Sequence, residues 1–140
     1  MKKFVLILVI CGIIFGCTEG VFSKSIFEQG KRIFNKCRSC HSLTSGVSKI
    51  GPSLHGIFER RAGTWRKKNG KLYRYSTVLK TAGQGQPDKR VPPLIWNKNT
   101  LNKFLEAPRK YLPGNKMSFI GLKKPKDREA LILFLKQATK

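Results

Sequence analysis

Acidic residues are scarce in this chain. Seven Asp and Glu stand against 29 Lys and Arg in 140 residues, a net charge of +22. Histidine is scarcer still, with His41 and His55 alone, and beyond Met1 there is a single methionine, Met117. These shortages leave no convincing set of general base and nucleophile for a substrate pocket. The longest unbroken apolar stretch, Phe4 to Gly16, has 13 residues, too short for a comfortable membrane span. No segment alternates polar and apolar residues as a half-buried strand does, and no internal repeat is visible. The four cysteines are Cys11, Cys17, Cys37 and Cys40. A structural zinc site needs four ligands, and beyond the Cys37-Cys40-His41 cluster the chain outside the first 17 residues offers His55 and no other cysteine, so such a site would have to take every Cys and His there.

What is present is concentrated in Cys37-Arg38-Ser39-Cys40-His41. Two thiols three positions apart, with a histidine directly after the second, form the attachment signal for a c-type haem. The thiols can make thioether bonds to the haem vinyl groups, and the short turn holds the imidazole under the iron. A thioredoxin-like redox dithiol would want a strand before the first cysteine, but the residues before Cys37 have helical spacing.

The N-terminus sets the compartment. Met1-Lys2-Lys3 is a short positive region ahead of the apolar stretch, as in a signal peptide. Val21-Phe22-Ser23 before Lys24 resembles a small-residue cleavage site. Ile13 to Cys17 resembles a lipoprotein box in which Cys17 is lipidated, and an uncleaved anchor is a third alternative. Export to the periplasm fits covalent haem attachment. Cys11 and Cys17 fall to the leader, so no pair remains for a structural disulfide. Removing residues 1–23 leaves 117 residues, 24–140, enough for one small domain with an expected net charge of +21. Nucleic acid is the usual partner of so basic a chain, but an exported haem protein rarely meets it. Acidic protein surfaces or an anionic membrane surface are expected instead, with the chain a monomer.

Helices are expected from three patterns. Ser25-Ile26-Phe27-Glu28 has the capping-box form. Ile26, Phe27, Gly30, Ile33, Phe34 and Cys37 then recur at helical spacing. Gly30 in that helix implies the close crossing of another helix. Thr100 is expected to cap a second helix through Leu101, Phe104 and Leu105, ending before Pro108, and Asp127 a third, running to about Ala138. Gly and Pro punctuate the stretch between Gly63 and Trp96.

A haem held by His41 has a sixth position to fill. Met117 lies in Pro113-Gly114-Asn115-Lys116-Met117, a loop able to bring a side chain back over the haem face. Thioether and imidazole as axial ligands stabilise ferrous iron and raise the potential. The rival is His55, only 14 residues after His41, which would give bis-histidine ligation.

From about Phe27 to its C-terminus the chain resembles class I cytochromes c of the mitochondrial type. The resemblance is carried by Gly30-Lys31-Arg32-Ile33-Phe34, Cys37 to His41, Gly51-Pro52-Ser53-Leu54-His55-Gly56, Trp96, Pro108-Arg109-Lys110-Tyr111, Pro113 to Met117, and Leu131 with Phe134. It implies a small all-α fold wrapped around one covalently bound haem c, with Cys37 and Cys40 as the attachment points and His41 and Met117 on the iron. It places the Pro52 carbonyl on the ring N–H of His41, and Arg60, Tyr75, Ser76 and Trp96 around the haem propionates. Arg32, Lys36, Lys49, Arg109, Lys110, Lys116, Lys123 and Lys124 match the positive ring around the exposed haem edge, and Phe119 matches an aromatic on the methionine side. The implied activity is one-electron carriage from a quinol-oxidising, cytochrome bc1-type complex to a terminal oxidase or reductase. The alternative is a peroxidase-like haem enzyme with a labile methionine ligand.

Three features depart from the family pattern. Phe104 stands where a tyrosine hydroxyl is usual near the methionine ligand, and Asn115 replaces a common threonine. The stretch between Gly63 and Trp96 is longer than in short mitochondrial forms. Its insertion, between about 64 and 95, has a basic part around Trp65 to Lys71 and a Gly/Gln/Pro part around Thr81 to Pro93.

Overall fold

Five helices carry the architecture of the computed structural model, which describes residues 18–140, with side chains from Lys24 onward. They are α1 (Thr18–Phe34), α2 (Thr77–Gln84), α3 (Lys98–Glu106), α4 (Pro108–Tyr111) and α5 (Pro125–Ala138), with a 3-10 turn at Pro87–Lys89. Among the described residues there is no β-strand, only the isolated bridges Arg61–Ile95, Arg66–Leu72 and Gln86–Val91. No described helix is long and apolar enough to cross a membrane. The expected lipidation at Cys17, and the leader up to that residue, lie outside the described residues.

Helix α1 crosses α5 at Gly30, as the sequence implies. A Cβ at Gly30 would stand 2.0 Å from the Ala130 carbonyl oxygen and 2.7 Å from Phe134 Cβ. The missing side chain lets Phe134 reach both Phe27 and Phe34, with ring centroids 5.3 and 5.4 Å away. Such aromatic pairs contribute about 0.5–1.5 kcal/mol each beyond their burial. Trp96, Leu101, Phe104, Leu105, Leu131, Ile132 and Leu135 continue this cluster as one core.

The helix starts differ from the sequence expectation in three places. Helix α1 is already formed at Thr18, so Ser25 lies inside it and caps nothing. Helix α3 begins one residue after Asn97, whose side chain accepts from the Asn99 and Thr100 N–H groups. Thr100 returns the bond by accepting from Asn97 N–H at 2.8 Å. Thr100 is thus the third helical residue of a reciprocal box whose cap is Asn97, a role Asn fills as well as Thr. Helix α5 starts at Pro125, whose missing N–H is no loss in a first turn. Asp127 sits two residues further in and accepts from Gln29 at 3.1 Å, tying α5 to α1 instead of capping.

The stretch between Gly63 and Trp96, expected to hold an insertion, is packed. Trp65, at 8% exposure, is its buried anchor, with its ring tilted against Tyr73, which meets Tyr75 edge-on. Beyond Trp65 the chain makes a tight turn closed by Lys67 N–H to the Lys71 carbonyl and Gly70 N–H to the Lys67 carbonyl. The tip rests on the loop after the Cys37–His41 turn: a Cβ at Gly46 would lie 3.2 Å from Lys68 Cβ. The part read as Gly/Gln/Pro loop holds α2. Gly83 lets that helix lie on the Ala62 carbonyl, which a Cβ there would approach to 1.8 Å. Leu94 N–H then bonds to the Ala82 carbonyl and Ala62 N–H to the Leu94 carbonyl.

Candidate functional site

The end of α1 delivers the Cys37–His41 segment as a continuing turn. Cys37 and Arg38 donate their N–H groups to the Phe34 carbonyl, and Cys40 and His41 donate theirs to the Cys37 carbonyl. Both thiols are free and half-buried. The Cys37 thiol is pushed up to about 11, first by burial and then by Cys40, against a smaller downward pull from Lys36. A reactive, nucleophilic cysteine sits in an environment that lowers this value, and Cys37 does not.

His41 is fixed from two sides. Its Nδ1 donates to the Pro52 carbonyl at 2.8 Å. A carbonyl can only accept, so the proton sits on Nδ1 and the neutral ring keeps its Nε2 lone pair for a metal. Burial pushes the imidazole below its usual value, the Pro52 bond acts upward, and Arg60 acts downward. Gly51 lies flat against the ring: a Cβ there would be 2.4 Å from His41 Cε1 and 2.9 Å from Nε2. The segment is held in turn by Gly51 N–H to the Cys40 carbonyl at 2.8 Å and by the Tyr73 hydroxyl, which donates to the Ile50 carbonyl. Gly51→Ala in the haem-loaded protein is expected to push the ring off the Pro52 carbonyl. Stability should fall by about 1–3 kcal/mol, as for other overpacked sites, with a shift in potential. Unfolding and redox titration check this, and a variant unchanged in both would contradict it.

Arg60 and Trp96 lie on paired backbone, and Tyr75 stands near Arg60. Backbone bonds pair Trp96 N–H with the Arg60 carbonyl at 2.9 Å and Glu59 N–H with the Trp96 carbonyl at 2.8 Å. Trp96 is buried at 6% exposure and packs on Phe104 at 5.0 Å. The Arg60 guanidinium donates to the Ser53 and His55 carbonyls at 3.0 and 3.1 Å. Burial raises the Tyr75 phenol while nearby Arg60 pulls it down. Ser76 precedes α2 without capping it, and its hydroxyl is buried with no hydrogen-bond partner.

Met117 is half-buried against the core. Its loop is pinned at both ends. In front, Asn115 donates to the Pro108 and Leu112 carbonyls and accepts from Met117 N–H. Behind, Leu122 N–H bonds to the Leu105 carbonyl at 2.7 Å. The buried Arg128 donates to Asn102 Oδ1 at 2.7 Å, to the Leu122 carbonyl at 2.8 Å and to the Lys123 carbonyl at 2.9 Å. Phe104, without a hydroxyl, packs edge-on against Tyr111 at 6.1 Å. Arg32, Lys36, Lys49, Arg109, Lys110, Lys116, Lys123 and Lys124 are all exposed. Lys49 donates to the Arg38 carbonyl, and Lys123 to the Glu106 carbonyl at 3.2 Å.

The Cytochrome c family model matches residues 27–98. A cytochrome c from Cochliobolus lunatus is 42% identical over 121 residues, 85% of this chain and 98% of that relative. The chain belongs to the cytochrome c family. A cytochrome c2 from Afifella marina is 36% identical over 108 residues, 76% of this chain and 77% of that relative. The solved cytochrome cH from Methylobacterium extorquens shares the fold with a TM-score of 0.64 at 30% identity, covering 79% of this chain and 97% of that one. Cytochromes c are electron carriers with one covalently attached haem c, and they work with redox partner proteins.

The residues here fit that group. The buried Ser76 hydroxyl is unpartnered and the Arg60 charge is answered only by neutral carbonyls. Buried propionates require cations and donors not already committed to other charged groups. Sequence reading missed Asn115 as a pin, Arg128, Tyr73 and Gly51. Asn115 had a signal, its place in a Pro-Gly loop two residues before the methionine, where an Asx turn forms readily. Arg128 had none, because one arginine among so many gives no hint of burial.

Proposed function

We propose that this chain is an exported one-electron carrier in which Cys37 and Cys40 hold haem c and His41 and Met117 bind its iron. The observation that carries the reading is the His41 ring, oriented by its Nδ1 bond to the Pro52 carbonyl, at the end of the two-cysteine turn. The bound haem supplies a one-electron iron couple. The chain's residues keep water away, orient the ligand ring and hold Met117 so that the iron has no open position. A pinned Met117 loop opposes the peroxidase-like alternative. Arg60, Tyr75, Ser76 and Trp96 answer the propionates.

The exposed basic residues serve docking. Lys49 sits beside the Cys37–His41 turn, and the insertion brings Lys67 and Lys68 to the same flank over Gly46. Between Gln29 and Pro87 the sequence has one acidic residue, Glu59. This face steers the chain toward acidic surfaces of a quinol-oxidising complex and a terminal oxidase or reductase in the periplasm. With a purified terminal oxidase, the oxidation rate should fall at least tenfold as ionic strength rises and the Debye length shrinks from about 30 to about 8 Å. Reversing Lys67, Lys68 and Lys71 to Glu should flatten that dependence. A wild-type rate indifferent to salt would remove the docking role. The intact mass of the purified protein reports the leader end, any lipid on Cys17 and the haem count together.

A further inference from the structure

We propose that Asn115 is the positioning residue that keeps the Met117 sulfur on the iron, by fastening the Met117 backbone to a fully buried point of the core. The inference rests on the reading of Met117 as an axial ligand. The Asn115 side chain spends three hydrogen bonds within its own loop. Nδ2 donates to the Pro108 carbonyl and to the Leu112 carbonyl, each at 2.8 Å, and Oδ1 accepts from Met117 N–H at 3.0 Å. The amide is therefore read in one orientation, since exchanging its oxygen and nitrogen would break all three bonds.

The anchor is strong because Pro108 is among the most deeply buried residues of the chain. The Pro108 carbonyl also accepts from Leu112 N–H, and the Leu112 carbonyl from Asn115 N–H, so both acceptors are saturated. The rear pin, at Leu122 and Arg128, stands five residues beyond Met117, and exposed Ile120 lies between them. Asn115 stands two residues before the sulfur. Release of the sulfur requires the short span after Asn115 to swing, and the Asn115–Met117 bond restrains that swing directly. With Phe104 offering no hydroxyl, this restraint acts through the backbone and not through a bond to the sulfur.

Asparagine alone among short side chains can do this. It offers two donors and an acceptor at a reach that closes a turn on the N–H two residues along. Aspartate keeps the acceptor and loses both donors. Threonine can accept from Met117 N–H and donate once. Alanine loses everything. The variants Asn115→Ala, Asn115→Asp and Asn115→Thr of the haem-loaded protein separate the contributions.

Three readouts are used: hydrogen exchange of the Met117 amide, the rate at which imidazole binds the ferric protein, and the near-infrared sulfur-to-iron absorption. In Asn115→Ala, Met117 amide protection should drop at least tenfold and imidazole should bind at least tenfold faster. Asn115→Asp should keep most of the amide protection yet bind imidazole faster, because its turn is no longer tied to Pro108. Asn115→Thr should be intermediate. The midpoint of global unfolding should move less than the imidazole rate does, since the opening is local. Imidazole rates equal to wild type in both Asn115→Asp and Asn115→Thr, with the absorption intact, would overturn the proposal. A wild-type protein lacking the absorption would instead overturn the ligand reading, while amide exchange would still report the Asn115 bond.

Discussion

Met117→Ala is expected to abolish the near-infrared sulfur-to-iron absorption and to lower the midpoint potential. Axial ligands set haem potentials over a span of about 0.8 V, and loss of a thioether is expected to move this one by on the order of 0.2 V. The direction follows from chemistry: a thioether favours ferrous iron more than water does. Imidazole should then bind the ferric protein without waiting for the loop to open. Met117 makes no hydrogen bond through its side chain and sits only half-buried at the edge of the core, so the fold should survive the change. Redox titration and absorption of the variant check the expectation. An unchanged spectrum and potential would show that the sixth ligand is another residue, and His55 would then be the candidate to replace.

Gly30→Ala should damage the fold severely, and its sign is diagnostic. In an open helix, alanine is more stable than glycine by about 1 kcal/mol. Here the new Cβ would stand 2.0 Å from the Ala130 carbonyl oxygen, a backbone atom that cannot rotate away. Helix α1 must back off from α5, and the contacts of Phe134 with Phe27 and Phe34 loosen together. A loss of about 3 kcal/mol is expected, at the upper end for overpacked cores. Urea unfolding of the haem-loaded variant measures it. A stabilised variant would mean that the helices do not touch at this point.

The parts of the fold legible in the sequence are those in which one residue type has one physical use. Gly30 inside an apolar periodic stretch has little purpose except a close crossing, and the crossing is there. The two-cysteine turn was readable because attachment chemistry fixes both residue type and spacing, whereas the Pro52 carbonyl on His41 was expected only from the family resemblance. Helix starts were harder. Ser25, Thr100 and Asp127 all look like caps, yet each serves inside its helix, because Pro125 and Asn97 compete for the same role and α1 begins upstream. The insertion was the least readable. Helix α2 is only eight residues long and has one fully buried residue, the glycine that meets the Ala62 carbonyl, so its sequence reads as part of a Gly-rich loop. Tyr73 acts through a carbonyl 23 residues away, a contact no local pattern encodes.

Arg128 has a consequence for behaviour in acid. Its guanidinium is buried among neutral oxygens of Asn102, Leu122 and Lys123, with no carboxylate among those partners. The joint between α3, α5 and the rear of the Met117 loop is therefore built on one charge held by neutral oxygens, with no carboxylate bonded to it. Many proteins come apart in acid because their paired carboxylates are neutralised. Among the partners of Arg128 there is no carboxylate for acid to neutralise.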